Sequence, residues 1–163
     1  LQSVCSPVCA IAYAGVAKNK AERIAAISDR KVIKLKLDSI KTKSEWAREA
    51  QTAFNQWVKL RDADEVCISC GRDHKGQWHA GHYLSVGAHP ELRFEPLNVW
   101  KQCQPCNTHL HGNLISYRKM LLERIGIEKL EWLEGPHKPK KYTIDELKII
   151  IKEYRIKSKL LRG

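Results

Sequence analysis

Four cysteines constrain this chain more than anything else in it. They stand as two C-x2-C pairs, Cys67-Ile-Ser-Cys70 and Cys103-Gln-Pro-Cys106, with 33 positions from Cys70 to Cys103. Each pair is a knuckle that offers two thiolates to one ion, and four thiolates close a tetrahedral zinc site. Such a site leaves no coordination position for a substrate, so its task is structural. It pins two distant segments together and holds whatever lies between them in shape. Gly71 follows the first pair, where a tight knuckle turn favours positive φ. The alternative, four unligated core cysteines, fits this spacing poorly. A further pair, Cys5 and Cys9, brings the total to six. Cysteines in three close pairs point to metal clips in a reducing compartment rather than to a secreted disulfide framework. Cys5-Ser-Pro-Val-Cys9 is half a metal site. Its second pair is expected before Leu1; a metal shared across a dimer, or free thiols, are the alternatives.

The 163 residues suffice for one domain with a modest core, or a small domain with helical extensions. No apolar run reaches the roughly 20 residues of a membrane span. Val8 to Ala17 is the longest, and it lacks the basic leader of a signal peptide. The net charge is +11, and it is uneven. Residues 18–43 carry nine basic and three acidic side chains, as do residues 137–163, whereas 44–136 are close to neutral. Two basic arms around a neutral centre suggest a polyanion partner, nucleic acid first. Solubilising lysines on helix surfaces are the plainer alternative.

The organisation follows this division. Residues 1–43 combine the cysteine pair with a basic helix over about Ile11–Leu37. Residues 44–136 form the core, and 137–163 a basic C-terminal helix. Thr42 and Glu45 match a capping box for a helix that ends near Leu60. Trp46, Ala50, Ala53, Phe54, Trp57 and Val58 form its apolar stripe, as core or as a dimer face. Glycines and prolines between 66 and 105 imply hairpins and loops. A helix is expected from about Cys106, another over Ile115–Ile125 stopped by Gly126, and a short one over Ile127–Leu133. Thr143-x-x-Glu146 caps a final helix to about Leu161, with Leu147, Ile150, Ile151, Tyr154 and Leu161 inward.

Between and after the knuckles lie His74, His79, His82, His89, Asn98, Asn107, His109 and His111. The order C-x2-C, His82, Asn98, C-x2-C, Asn107 resembles the HNH, or His-Me finger, nuclease motif on a zinc-stapled ββα unit. The segments "CISCG", "QW-x-AGHY", "LRF-x-x-x-N", "KQC-x-x-CN" and "GNL-x-x-YR" resemble more closely the lambda-type phage recombination endonucleases of the NinG and Rap family. The fold this implies is α+β and mostly helical, an HNH core with helical N- and C-terminal extensions. The activity it implies is metal-dependent cutting of branched DNA, such as Holliday junctions and D-loops, in the cytoplasm of a bacterial host. Phage or host recombination proteins would be partners.

Within that resemblance His82 is the general base, because a neutral imidazole takes a proton from water near physiological pH. Asn98 fixes the loop and orients His82. A catalytic Mg2+ or Mn2+ would be held by Asn107 and His79. Arg93, Lys101, His109, His111 and Arg118 are expected to contact phosphate. The open point is Gly81, where such sites place a ligand side chain. His79 faces the same way on an extended strand and could substitute. Gly81 could instead form a bulge, or His82 could itself hold the ion. The bland readings are a core histidine at 82, a helix cap at Asn107, and burial rather than base stacking for Trp78 and Trp100. Asn113 is a reserve ligand. Resolution of a four-way junction needs two opposed cuts, so a homodimer is expected. A non-catalytic zinc module that binds nucleic acid, and a sequence-specific HNH endonuclease, are the competing functions.

Overall fold

A computed structural model describes residues 5–163, and the chain divides into two units, 1–42 and 43–163. The first unit is dominated by one helix, α1 (Pro7–Ile40). It begins earlier than the periodicity suggested because Ser6 caps it, its hydroxyl accepting from Cys9 N at 3.2 Å, and Pro7 fits the first turn. None of its residues is buried. Its apolar side chains do not gather into one stripe, so there is no single face to cover.

The second unit starts with α2 (Lys43–Arg61) and ends with α5 (Ile144–Leu160). These two helices lie against each other. Trp46, Ala50, Ala53, Phe54 and Val58 of α2 share a core with Leu147, Ile151 and Tyr154 of α5. Phe54 meets Tyr154 edge-on at 4.7 Å and Phe94 at 5.8 Å. The α2 stripe is therefore covered within the chain, not left as a dimer face. The C-terminal helix belongs to this same unit rather than standing apart as an arm. Its capping box forms as expected: Thr143 Oγ1 accepts from Glu146 N, and the Glu146 carboxylate accepts from Thr143 N. Leu161 follows the helix end and is exposed, unlike the inward position expected for it.

Between these helices lies a two-stranded antiparallel sheet, β1 (Trp78–His82) and β2 (Val99–Cys103). Two 3-10 turns, Pro90–Leu92 and Pro96–Asn98, shape the connection. A π-helical turn, Pro105–His109, takes the place of the regular helix expected from Cys106. α3 (Leu114–Ile125) and α4 (Ile127–Glu134) form a hairpin around Gly126, at φ 79°. Tyr117, Leu121, Leu130 and Leu133 from this pair bury Ile68, Tyr83 and Leu92. The unit is thus mostly helical α+β.

Arg61 and Asp62, which the sequence offered only as a helix end, join α2 to the sheet. Arg61 donates to the carbonyls of Pro96 and Val99, and Asp62 accepts from Lys101 N at 3.0 Å.

Candidate metal clip and adjoining cleft

The four sulfurs of Cys67, Cys70, Cys103 and Cys106 lie within 4.8 Å of one another. Cys67 and Cys70 flank a turn closed by Gly71 N donating to Cys67 O, with Gly71 at φ 63°. Cys103 ends β2, and Cys106 opens the second knuckle on the π-helical turn. Cys103 N points at Cys67 Sγ at 3.4 Å, and Asn113 Nδ2 at Cys106 Sγ at 3.7 Å. These are donors suited to thiolates. Burial pushes the Cys103 thiol up, so an ionised sulfur there needs a compensating cation. Cys70 and Cys103 sulfurs are 4.0 Å apart, close to the ~3.8 Å between ligands of a tetrahedral zinc. The donor set fits a soft divalent ion such as zinc. Among the described residues no other group of three or more His, Cys, Asp or Glu converges in this way. Cys5 and Cys9 are exposed, with their sulfurs 3.3 Å from each other.

Beside the clip, β1 pairs regularly with β2: His79 opposite Gln102, Gly81 opposite Trp100, His82 opposite Val99. There is no bulge at Gly81. The glycine makes room for Gln102, whose side chain folds across it. A Cβ at position 81 would overlap Gln102 Oε1. Gln102 Nε2 donates to Ser69 Oγ and to Gly112 O, both at 2.6 Å, which ties both knuckles to the sheet. Tyr117 adds a hydroxyl donor to Gly81 O at 2.9 Å.

His82 is half-buried, and its Nε2 lies 3.0 Å from Arg93 O. A carbonyl only accepts, so Nε2 carries the proton and Nδ1 keeps the lone pair. Burial lowers the His82 pKa below the ordinary imidazole value, the Arg93 carbonyl bond opposes this, and the Arg93 charge adds to it. The ring is neutral at physiological pH.

Asn98 holds the loop but not the ring. It is fully buried, accepts from Leu84 N at 2.8 Å, and donates to the carbonyls of Leu84 and Leu92. Leu92 precedes Arg93, so Asn98 acts on His82 one link away, through the position of the Arg93 carbonyl.

Asn107 Nδ2 lies 2.8 Å from His79 Nδ1, so the two residues expected at a second ion are adjacent. Asn107 also lines, with His82, His89, His111 and Leu114, a cleft of about 490 Å³. Trp78 packs on the clip, with Lys101 Nζ 4.2 Å over its ring. Trp100 lies under Arg61 at 4.2 Å and donates to Leu97 O. Both tryptophans are engaged in packing.

The phosphate candidates divide. Lys101 is buried and donates to the carbonyls of Ala63 and Glu65. That corrects its expected role, because an ammonium committed to two backbone oxygens does not face a ligand. Arg93 is turned to α2, donating to Gln51 Oε1 and Ala47 O, a correction of the same kind. Arg118 is exposed but chelated by Glu134, at 2.7 and 2.9 Å. His109 and His111 are exposed. Gln102 was missed altogether. Its only signal was Gly81, diagonal to it across the two strands, whose missing side chain leaves a space to be filled.

These features define a small, mostly helical α+β protein with a cysteine clip that could hold a metal ion. No helix among the described residues is long and apolar enough to cross a membrane. The chain belongs to the NinG family of lambda-type bacteriophages: the family model, "Bacteriophage Lambda NinG protein", matches residues 1–163. It is 45% identical over 130 residues to Protein ninG of Salmonella phage P22, covering 80% of this chain and 64% of that one. Protein ninG of Escherichia phage lambda is 44% identical over 131 residues, with the same coverage, and that of Escherichia phage 933W is 41% identical over 131. The chain thus spans a little under two thirds of the length of the relatives it matches. No solved structure matches it.

Proposed function

We propose that this chain carries the nuclease centre of a metal-dependent endonuclease that cuts branched DNA, with His82 as the general base. The observation that carries this reading is the state of the His82 ring. Its Nε2–H is fixed on the Arg93 carbonyl, burial lowers its pKa and so favours the neutral ring, Nδ1 is left with its lone pair, and His82 lines the same cleft as Asn107. Such an imidazole takes a proton from an attacking water, and the Arg93 carbonyl steadies the imidazolium through the opposite nitrogen. His79 and Asn107, adjacent at 2.8 Å, are the pair that would hold a hard divalent ion once the amide oxygen turns toward it. That ion, Mg2+ or Mn2+, would neutralise a phosphate oxygen and assist the departing 3′ oxygen. Gly81 then needs no ligand side chain, because His79 offers one from the same strand face. Cys67, Cys70, Cys103 and Cys106 would hold a structural zinc that joins the two knuckles and takes no part in the chemistry. The ββα reading of β1, β2 and the turn after Cys106 belongs to this proposal.

The products carry 5′-phosphate and 3′-hydroxyl ends. A homodimer supplies two opposed cuts, and α2 and α5, which cover each other, leave it another face.

Purified protein with Mg2+ or Mn2+ is expected to nick a four-way junction. His82→Ala is expected to lower the rate by about 10²–10⁴, the usual worth of a general base, while junction binding survives. A wild-type protein that binds junctions but cuts no DNA with either ion would leave only a zinc-containing binding module. Equal cutting of junction and linear duplex at one sequence would favour a site-specific enzyme.

A further inference from the structure

One segment at the mouth of the cleft is built against the usual rules of a protein surface. From Leu110 to Ile115 the chain exposes three aliphatic side chains: Leu110 at 57%, Leu114 at 49% and Ile115 at 91%. Between them the backbone is left-handed at three successive residues, with φ 48° at His111, 91° at Gly112 and 45° at Asn113. His and Asn tolerate this region better than most residues, yet a run of three persists only where the surroundings over-determine it.

They do so here. Gly112 O accepts from Gln102 Nε2 at 2.6 Å and from Ser69 Oγ at 3.2 Å. Gly112 N donates to Cys106 O, and Asn113 N to Leu110 O. Asn113 Nδ2 reaches Cys106 Sγ. The segment is thus fastened to the sheet and to both knuckles of the clip. It is a firmly held segment with exposed apolar side chains, not a loose loop. His111, Gly112 and Leu114 line the cleft that contains His82 and Asn107.

We infer that this segment is a wedge that enters an unstacked base step of the DNA next to the scissile phosphate. Apolar side chains inserted between bases part them at the cost of stacking energy. At a branch point stacking is already interrupted, so the same insertion costs less there than in a continuous duplex. The wedge therefore reads branching without reading sequence. Three side chains are too few for a stable protein interface, which needs about 800 Å² from each partner. Continuity with the cleft that His82 and Asn107 line, where the nuclease reading places the scissile phosphate, selects DNA as the occupant. This inference rests on the nuclease reading for the place of the cut, but the insertion itself is separately measurable.

The test uses the full chain and a four-way junction with 2-aminopurine at the branch, in Ca2+ to hold cleavage back. Wild-type protein is expected to raise the fluorescence on binding. Leu110→Ser with Ile115→Ser should abolish the rise and lower the preference for junction over duplex by about a hundredfold, as for loss of two buried aliphatic side chains. Ile115→Leu should keep both. Unchanged circular dichroism and zinc content show that the variants are folded, and Ile115 is exposed enough to expect this. Junction binding by wild type without a rise, or an equal rise in the double variant, overturns the wedge. Failure of the wild type to bind any DNA overturns it too. A rise on binding, with no cleavage in Mg2+ or Mn2+, sustains the wedge and removes the nuclease reading alone. Cleavage without a rise does the reverse.

Discussion

The two sides of the second unit are held together by different physics. The α2–α5 side is an apolar core, with Phe54, Val58 and Leu147 almost fully buried and aromatic rings meeting edge-on or tilted around Phe54. The clip side buries cysteines, and around them a set of polar groups: Asp62, Ser69, Asn98, Lys101 and Gln102. Each of these polar side chains fixes a backbone atom or another fixed side chain. Apolar packing tolerates small shifts, because it has no direction. Hydrogen bonds to chosen carbonyls do not. The histidine and asparagine side chains proposed for chemistry stand on the directional side, and the apolar side serves as their scaffold.

Chelation should break this contrast most widely. In small zinc-dependent peptides the metal contributes about 10–16 kcal/mol of apparent folding free energy. Removal of the ion from Cys67, Cys70, Cys103 and Cys106 is expected to loosen first the two knuckles, 67–71 and 103–109, because 83–98 is also held by Tyr83, Leu92, Phe94 and Asn98. Hydrogen exchange should show the knuckle amides losing protection while those of α2 and α5 keep much of theirs. Uniform loss across both sides would mean that the two cores are one cooperative structure. No loss at all would mean that the thiols need no metal.

The reverse perturbation is Phe54→Ala. Phe54 is completely buried among Phe94, Trp57 and Tyr154. Its truncation should cost about 3–5 kcal/mol, read as a shift in the urea midpoint. Zinc content and the affinity of the clip for the ion should change little in the fraction that stays folded. A variant that also sheds its metal would show that the scaffold, rather than the thiols, orients the knuckles.

The apolar side was the more legible in sequence. Trp46, Ala50, Ala53, Phe54 and Val58 repeat at helical spacing, and periodicity alone places them on one face. The thiols were legible too, since C-x2-C pairs leave few alternatives. What escaped were the partners of polar side chains, because hydrogen-bond geometry has no sequence period. Lys101 reads as a surface cation, but its ammonium ends on two carbonyls of the segment after α2. Gly81 reads as a missing ligand, but it is a space that Gln102 fills. His79 and Asn107 are 28 positions apart, and only the pairing of β1 with β2 and the turn after Cys106 bring them together.

The smallest effect is the most specific to the clip side. Burial lowers the His82 pKa, so the unfolded chain, with an ordinary imidazole near ~6.5, takes up its proton at higher pH than the folded one. Above that value both states are neutral, and His82 makes stability no more pH-dependent. As pH falls below it, the unfolded state binds more protons, and stability declines until the lower folded value is passed. The thiolates also lose their metal in acid, so the informative quantity is the difference between wild type and His82→Asn, followed by urea unfolding. Wild type should lose stability relative to the variant as pH drops through this window, and the two should run parallel above it. The cleavage rate, if His82 is the base, should keep its neutral-pH value until below about 6.5. A difference of opposite sign would place a carboxylate or other acceptor at Nδ1, and the lone pair proposed for the attacking water would already be in use.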